Sequence, residues 1–325
     1  MIFVLILALS FIPALTYAYI VYWLDRFEQE PLRLLGGVFL WGALVATAGA
    51  MIWGLAFEAS LQALTGSAEL ADVGGTVIGA PIIEESLKGI AVLIVFLAFR
   101  QEFDSTLDGI VYAAITALGF AATENVLYLS GEYDTNGMGG MLGLFVVRVI
   151  LGGWGHAVYT SFTGIGLAIT RQSRNPVVKF SAPILGWMVG VALHALHNGM
   201  AVMVAQDVGG FVALLLTDWL GWIFAFAIVI WQLFRERRWV RTLLSEEVEK
   251  GIITRDQLAK AGSLRARIGM WFRFRGRNHP TRRFYQLCAE LAQKKRQLAQ
   301  LGDEGGNTII IAELRGELAR LAPLV

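Results

Sequence analysis

The stretch of sequence between residues 74 and 99 decides the fold. It reads GGTVIGAPIIEESLKGIAVLIVFLAF and is long enough for a transmembrane helix, which needs about 20 predominantly apolar residues. Three charged residues nevertheless lie near its middle, namely Glu84, Glu85 and Lys88. Each charge at the centre of a bilayer costs about 2.5–3.5 kcal/mol even on the more lenient insertion scale. We therefore expect this helix to cross the membrane with its charged side chains turned towards other helices.

The composition of the whole chain agrees with a membrane location. Of its 325 residues, 56% are hydrophobic and 16% are charged, and the mean hydropathy is +0.58. These values exclude a disordered chain and an ordinary soluble globular protein. Besides 74–99, long apolar segments occur at 1–24, 34–61, 107–130, 139–170, 182–205 and 209–234. We predict an all-α fold, a polytopic membrane helical bundle of about seven spans with a small cytoplasmic helical tail.

The segment 139–170 is too long for one simple span and contains Gly152, Gly153 and Gly155. It is either one bent helix or a short re-entrant piece followed by a full span. The basic residues favour a single crossing, because the loops then fall into two groups. One group contains Arg26, Arg33, Arg100, Arg171, Arg174 and Lys179, whereas the loops at 62–73, 131–138 and 206–208 contain no Lys or Arg. By the positive-inside rule, the N-terminus is expected outside and the tail in the cytoplasm.

The charge distribution divides the chain after Phe234. Residues 1–234 contain 8 Lys and Arg against 16 Asp and Glu, whereas residues 235–325 contain 19 against 10, so the net charges are −8 and +9. We predict a membrane domain at 1–234 and a basic cytoplasmic helical tail at 235–325. The lone cysteine, Cys288, lies in the tail, so no intrachain disulfide can form.

The basic residues of the tail indicate a membrane surface as their partner. The cluster Arg235 to Arg241 is expected to bind anionic lipid, at about 1 kcal/mol per basic residue near the surface. A second group of arginines, with Trp271 and Phe272, has a composition that also suits nucleic acid. In a chain with several membrane spans, a membrane surface is the simpler explanation. This second group consists of Arg265, Arg267, Arg273, Arg275, Arg277, Arg282 and Arg283.

Further ionisable residues lie inside other apolar segments. They are Glu124 towards the outer end of the fourth span, Arg148 and His156 in the fifth, and His194 and His197 in the sixth. Unpaired charges at these depths are costly, so we expect the side chains to meet in the interior of the bundle. Helical spacing allows Lys88 to neutralise either Glu84 or Glu85, which leaves the other glutamate for chemistry.

Two other pairs share a helix face at i, i+4 spacing: His194 with Asn198, and Phe120 with Glu124. His197 lies beside this face, rotated by about 100° from Asn198 on an ideal helix, so we interpret His197 as structural.

Glutamate together with histidine indicates activation of water. Two histidines and a carboxylate are also a sufficient ligand set for a catalytic zinc ion, with a further glutamate as base. The sequence has no H-E-x-x-H motif and no G-x-G-D motif, and no span contains a serine nucleophile with a well-placed histidine. The residues therefore predict hydrolysis by glutamate and histidine inside the bilayer and leave open whether a metal takes part.

Four motifs follow one another along the chain. They are DRFEQEP at 25–31, E-E-x-x-K at 84–88, F-x-x-x-E at 120–124 and H-x-x-x-N at 194–198. In this order and spacing, the motifs resemble those of the PrsW family of intramembrane proteases, which is related to the CAAX-protease and bacteriocin-immunity superfamily. The CAAX relatives usually have F-x-x-x-H as the third motif. His156 resembles an additional family histidine on the preceding span.

The resemblance implies a set of roles for these residues. Glu84 or Glu85 would activate water, with Glu84 preferred because Lys88 lies on its face; Glu124 would help to hold the water, and His194 with Asn198 would stabilise the oxyanion. In a metal-dependent version, His156, His194 and Glu124 would be ligands, with zinc as the ion. The resemblance further implies a prokaryotic-type plasma membrane location and a single-span membrane protein as substrate, such as an anti-sigma factor.

Two other classes of function compete with an intramembrane endopeptidase. A proton- or ion-coupled transporter would use the same residues as a relay, but it predicts internal repeats with broken helices in paired halves, and no such repeat is found. A non-catalytic membrane scaffold predicts that replacement of Glu84 or His194 damages folding rather than turnover.

Overall fold

The computed structural model describes residues 1–25, 30–204, 208–263, 279–303 and 306–325. In these residues the regular structure consists of helices and contains no strand, which confirms the predicted all-α fold. Residues 26–29 of the acidic motif lie outside the described residues. So do five of the seven arginines of the second tail group, at positions 265 to 277, together with Trp271 and Phe272.

The chain forms two compact units, and residues 1–24 and 30–226 make up the first. Short π-helical turns precede three of the helices, at Trp41–Ala46, Gly75–Gly79 and Phe145–Leu151. The helices that begin in this unit are α1 (Ile2–Leu24), α2 (Leu32–Leu40), α3 (Thr47–Thr65), α4 (Ala68–Gly74), α5 (Ala80–Ala98), α6 (Thr106–Leu144), α7 (Gly155–Gln172), α8 (Pro176–Val204) and α9 (Val208–Leu243).

Five helical stretches are long and apolar enough to cross a membrane: Ile2–Leu24, Leu32–Thr65, Thr106–Gln172, Pro176–Met203 and Leu214–Glu249. The predicted spans 107–130 and 139–170 both fall within the third stretch, which is 67 residues long. Helix α5, which belongs to the predicted span 74–99, is not one of these stretches, because three charged residues, Glu84, Glu85 and Lys88, lie near its middle. Helix nevertheless covers most of each of the seven predicted spans.

Helix α6 bends at Gly137, where φ is 67° and ψ is −161°, a conformation that glycine adopts readily. After Gly137 the chain reverses and runs back along the earlier part of α6, so that Met141 packs into a buried cluster with Leu129. Three residues without regular helix, 152–154, separate this returning segment from α7.

The helical segments before and after this break both run antiparallel to the part of α6 that precedes Gly137. Arg148, before the break, contacts Glu124 of α6, while Gly164 of α7 touches Gly109, which lies nearer the start of α6. The segment 139–170 therefore runs in one direction along α6, with a break in the middle, as expected for a single crossing.

Glycines allow the helices around this break to approach closely. A Cβ atom on Gly164 would lie 2.0 Å from the carbonyl oxygen of Gly109, and one on Gly190 of α8 would lie 2.6 Å from the carbonyl oxygen of Tyr159. Such contacts are typical of helix packing in membranes, where small residues let backbones meet. Helices α6, α7 and α8 are thereby held at short distances around the residues that α5 contributes.

The second unit contains residues 25–29 and 227–325. After the end of α9 its described helices are α10 (Ser245–Glu249), α11 (Arg255–Ala261), α12 (Pro280–Leu301) and α13 (Asn307–Leu321). Cys288 is buried among apolar side chains of α12. The buried Glu247 carboxylate pairs with Lys295, at 2.9 Å, and with Arg315, at 2.8 Å.

Candidate active site

The charged residues of α5 are buried and contact one another. Nζ of Lys88 lies 2.7 Å from Oε1 of Glu85 and 3.5 Å from Oε2 of Glu84. The ammonium group also lies over the ring of Phe120, 4.4 Å from its centroid, in a cation–π contact. Lys88 therefore neutralises Glu85 more directly than Glu84, whereas the sequence analysis placed Lys88 on the face of Glu84.

Glu85 has partners on both of its carboxylate oxygens. Oε2 accepts a hydrogen bond from Oγ1 of Thr160, at 2.7 Å, and Oε1 lies 3.1 Å from Nδ1 of His194. Since the Glu85 side chain is completely buried, these contacts offset the loss of its hydration. Thr160 was not among the predicted residues, although it lies one helical turn after His156.

Glu124 forms a second set of ionic contacts, with Arg148 and His156. Its Oε2 lies 2.7 Å from Nη2 of Arg148 and 2.9 Å from Nε2 of His156. Arg148 in turn donates from Nε to Oδ1 of Asn125, at 3.0 Å, and stacks on the ring of Tyr128.

Glu124 was expected towards the outer end of the fourth span, which was predicted to end at residue 130. The helix continues past residue 130 to the reversal at Gly137, so Glu124 does not lie at a helix end. The Glu124 side chain is only 15% exposed and faces the other charged residues of the bundle.

Glu84 is the least engaged of the three glutamates. Its Oε2 lies 3.8 Å from Nε2 of His194 and 4.0 Å from Nδ1 of His156. The two imidazole rings are perpendicular, with centroids 4.9 Å apart. Glu84 therefore faces both histidines, and Lys88, at 3.5 Å, is the nearest of these partners.

Glu84, His156 and His194 could together hold a metal ion, since one donor atom from each lies within 4.8 Å of the others. The opposite ring nitrogens face carboxylates, Nδ1 of His194 towards Glu85 and Nε2 of His156 towards Glu124. A carboxylate behind each ligating histidine is the usual outer-shell arrangement of zinc sites. The structure thus groups Glu84 with the two histidines, in the place where the sequence analysis expected Glu124.

The other candidates of the sixth span point elsewhere. The Asn198 side chain donates from Nδ2 to the carbonyl oxygen of Thr76, at 2.9 Å, so this amide is not directed at Glu84. Nδ1 of His197 lies 2.8 Å from Oδ1 of Asp218 in α9. The ring of Tyr159, another residue that the sequence analysis did not select, stacks on His194 with centroids 5.1 Å apart.

Comparison with known proteins places this geometry in a family. The profile of the PrsW family intramembrane metalloprotease matches residues 30–232, which include all the charged residues described above. Proteins named Protease PrsW show similarity to the chain: 34% identity over 32% of this chain and 43% of the Geobacillus kaustophilus protein, and 35% identity over 33% of this chain and 43% of the Clostridioides difficile protein. The Bacillus subtilis protein of this name is 27% identical over 64% of this chain and 82% of its own length.

The chain thus spans less than half of the length of the first two relatives in these alignments. No solved structure matches the chain.

Proposed function

Because the chain belongs to the PrsW family of intramembrane metalloproteases, we propose that it is an endopeptidase that cleaves membrane-anchored protein substrates with a water molecule activated by glutamate and histidine. The observation that carries this proposal is the position of Glu84 between His156 and His194. A glutamate that activates water as a general base must be free to take a proton from it. Glu85 is held by Lys88, His194 and Thr160, and Glu124 by Arg148 and His156, so Glu84 is the best candidate of the three.

In this proposal the other residues position the reacting groups. A carboxylate has two oxygens, so Oε2 of Glu84 can stay with the histidines while the other oxygen accepts the proton and later returns it to the leaving nitrogen. Glu85 fixes the ring of His194, and Glu124 fixes that of His156. Lys88 contributes a positive charge beside the carboxylates that can stabilise negative charge developing on the substrate oxygen.

The residues fit a zinc ion, because two imidazoles and a carboxylate with carboxylates behind both histidines are a donor set typical of catalytic zinc. We propose that His156, His194 and one carboxylate oxygen of Glu84, Oε2, would hold it, so that the other oxygen of Glu84 remains the base. When bound, the ion would act as a Lewis acid that polarises the water and the substrate carbonyl.

The decisive experiment compares Glu84→Gln with the native protein in proteoliposomes that contain a single-span membrane protein substrate. We expect the variant to lose activity by about 10²–10⁴-fold, the range of general acid–base catalysis, while its melting temperature in detergent stays within a few degrees. Glu69→Gln, at an exposed position of α4, is the matched control and should cleave like the native protein. Native-like cleavage by Glu84→Gln would contradict the proposal, and a loss of folding in that variant would favour a scaffold.

The choice of substrate and the orientation belong to the same proposal. We expect a single-span protein of the anti-sigma-factor type, with the N-terminus of the peptidase outside and its tail in the cytoplasm. Thiol labelling of single cysteines placed in the loops 62–73 and 172–176, read from each side of sealed vesicles, tests the orientation. Labelling of both loops from the same side would contradict it.

We also propose that the tail binds anionic lipid through exposed arginines such as Arg238 and Arg241. The double variant Arg238→Gln, Arg241→Gln should weaken retention of fluorescent phosphatidylserine by the purified protein, relative to phosphatidylcholine. Equal retention of phosphatidylserine by the native and variant proteins would exclude this role.

A further inference from the structure

A cavity of about 40 Å³ lies between α7, α8 and α9, within the first unit. Tyr159 lines this cavity and also stacks on the imidazole of His194. His197, which lines it as well, follows His194 on α8 by less than one helical turn of about 3.6 residues. The cavity is therefore a neighbour of the candidate active site, with one aromatic ring between them.

Polar groups in the cavity wall indicate what it could bind. His197 and Asp218 both belong to the wall, and their contact of 2.8 Å joins α8 to α9. The indole nitrogen of Trp222, also in the wall, is buried and donates to no acceptor among the described residues. A buried donor without an acceptor costs about 1–3 kcal/mol, and a carbonyl oxygen of a bound peptide would remove this cost.

The wall also has a position without a side chain. Gly221 of α9 belongs to this wall, and a Cβ atom built on it meets no other atom within 4 Å, so a side chain at this position would displace no neighbour. The remaining wall is mainly apolar and includes Leu193. The volume of the cavity is only about 40 Å³, so we expect it to accept only a small side chain.

We infer that this cavity is a side-chain subsite of the peptidase, which receives a small side chain such as alanine or serine near the cleaved bond, while Nε1 of Trp222 donates to a carbonyl oxygen of the substrate. This inference rests on the proposed function. It makes the cavity a determinant of specificity that is separate from the groups that activate water.

The experiment uses a single-span substrate whose cleavage site has been mapped by mass spectrometry. Each residue within four positions of the cleaved bond is replaced in turn by Gly, Ala, Leu and Phe, and kcat/KM is measured for the native protein and the variants Gly221→Val and Leu193→Ala. Gly221→Val should fill the cavity without displacing any neighbour, and Leu193→Ala should enlarge it. Gly54→Val in α3, where an added Cβ likewise meets no atom within 4 Å, is the control.

At one substrate position, we expect the native protein to accept Gly and Ala and to reject Leu and Phe by at least about tenfold, as is usual for a small apolar pocket. Gly221→Val should then reduce cleavage with Ala by about tenfold while cleavage with Gly changes little, and Leu193→Ala should restore cleavage with Leu. Trp222→Phe, which keeps the ring but lacks the N–H group, should raise KM by about 2–10-fold for all substrates.

Two negative results are distinguishable. If Glu84-dependent cleavage occurs but the preference at every substrate position is the same in native, Gly221→Val and Leu193→Ala proteins, the subsite is wrong and the peptidase proposal stands. If no cleavage depends on Glu84, both are wrong.

Discussion

The ammonium nitrogen of Lys88 lies 3.1 Å from Nδ1 of His156, one of the three atoms that could hold a metal ion. The same nitrogen is 3.5 Å from Oε2 of Glu84, another atom of this set. A divalent cation would have to share these donor atoms with a positive charge that is already present. Lys88 is the counter-ion of Glu85, and it would compete with any metal ion that bound to these donor atoms.

This competition predicts the effect of Lys88→Met on zinc binding. Removal of the like charge should tighten zinc binding by at least about tenfold, or about 1.4 kcal/mol, as measured by competition with a coloured chelator in detergent. Lys88→Arg, which keeps the charge, should bind zinc no more tightly than the native protein. An unchanged zinc affinity in Lys88→Met would show that the ammonium group does not compete.

Glu85 and Glu84 should differ in their contributions to stability. Glu85→Gln removes the closest counter-ion of the completely buried Lys88 and weakens the contact with His194, and loss of one partner of a buried ion pair costs about 3–5 kcal/mol. We expect a clearly lower melting temperature in detergent for Glu85→Gln than for Glu84→Gln, whose carboxylate has only longer contacts. Equal melting temperatures of the two variants would argue against this division of roles.

Gly190 should tolerate no side chain. In Gly190→Ala the new Cβ would lie 2.6 Å from the carbonyl oxygen of Tyr159, so α7 and α8 must separate, at a cost of about 1–3 kcal/mol. Because Tyr159 and His194 lie on these helices, we expect both kcat and thermal stability to fall. Gly54→Ala has no atom within 4 Å of its Cβ and should be neutral or slightly stabilising, so similar losses in both variants would refute the explanation.

The second unit offers a test of its own. The buried carboxylate of Glu247 accepts two hydrogen bonds from Arg315 and pairs with Lys295. Glu247→Gln leaves Arg315 without its main partner, whereas Lys295 keeps Glu246, and we expect it to destabilise this unit by about 1–3 kcal/mol, seen as faster proteolysis of the region 245–325 in the full-length protein. Glu313→Gln, at an exposed position of α13, should be cleaved at the native rate, and equal rates for the two variants would mean that the Glu247 cluster adds little.

The helices and their general location were predictable, because an apolar stretch of sufficient length can satisfy its backbone in a bilayer only as a helix. The grouping of ionisable residues was predictable for the same reason, since charges of this number cannot face lipid. The preference of Lys88 for Glu85 was not predictable from spacing, because both i, i+3 and i, i+4 partners are within reach on a helix. It depends on Thr160 and His194, which come from helices distant in sequence.

Two other features also depend on tertiary contacts. The continuation of α6 beyond residue 130 passes through a polar, glycine-containing stretch that has no apolar pattern, so the end of this helix was predicted too early in the sequence. Asn198 shares a helix face with His194, but the π-helical turn at Gly75–Gly79 presents the carbonyl oxygen of Thr76 to it, and the amide binds there. A shared face therefore did not mean a shared site.

The contact between Gly109 and Gly164 determines more than the spacing of two helices. A slip of α7 by one residue would translate His156 by about 1.5 Å and turn it by about 100°, away from Glu124 and Glu84. Because the two backbones touch at glycines, a slip would bring the side chain of Thr163 or Ile165 against a carbonyl oxygen of α6. The contact between the two glycines therefore fixes where the imidazole of His156 lies along α6, although neither glycine takes part in the chemistry.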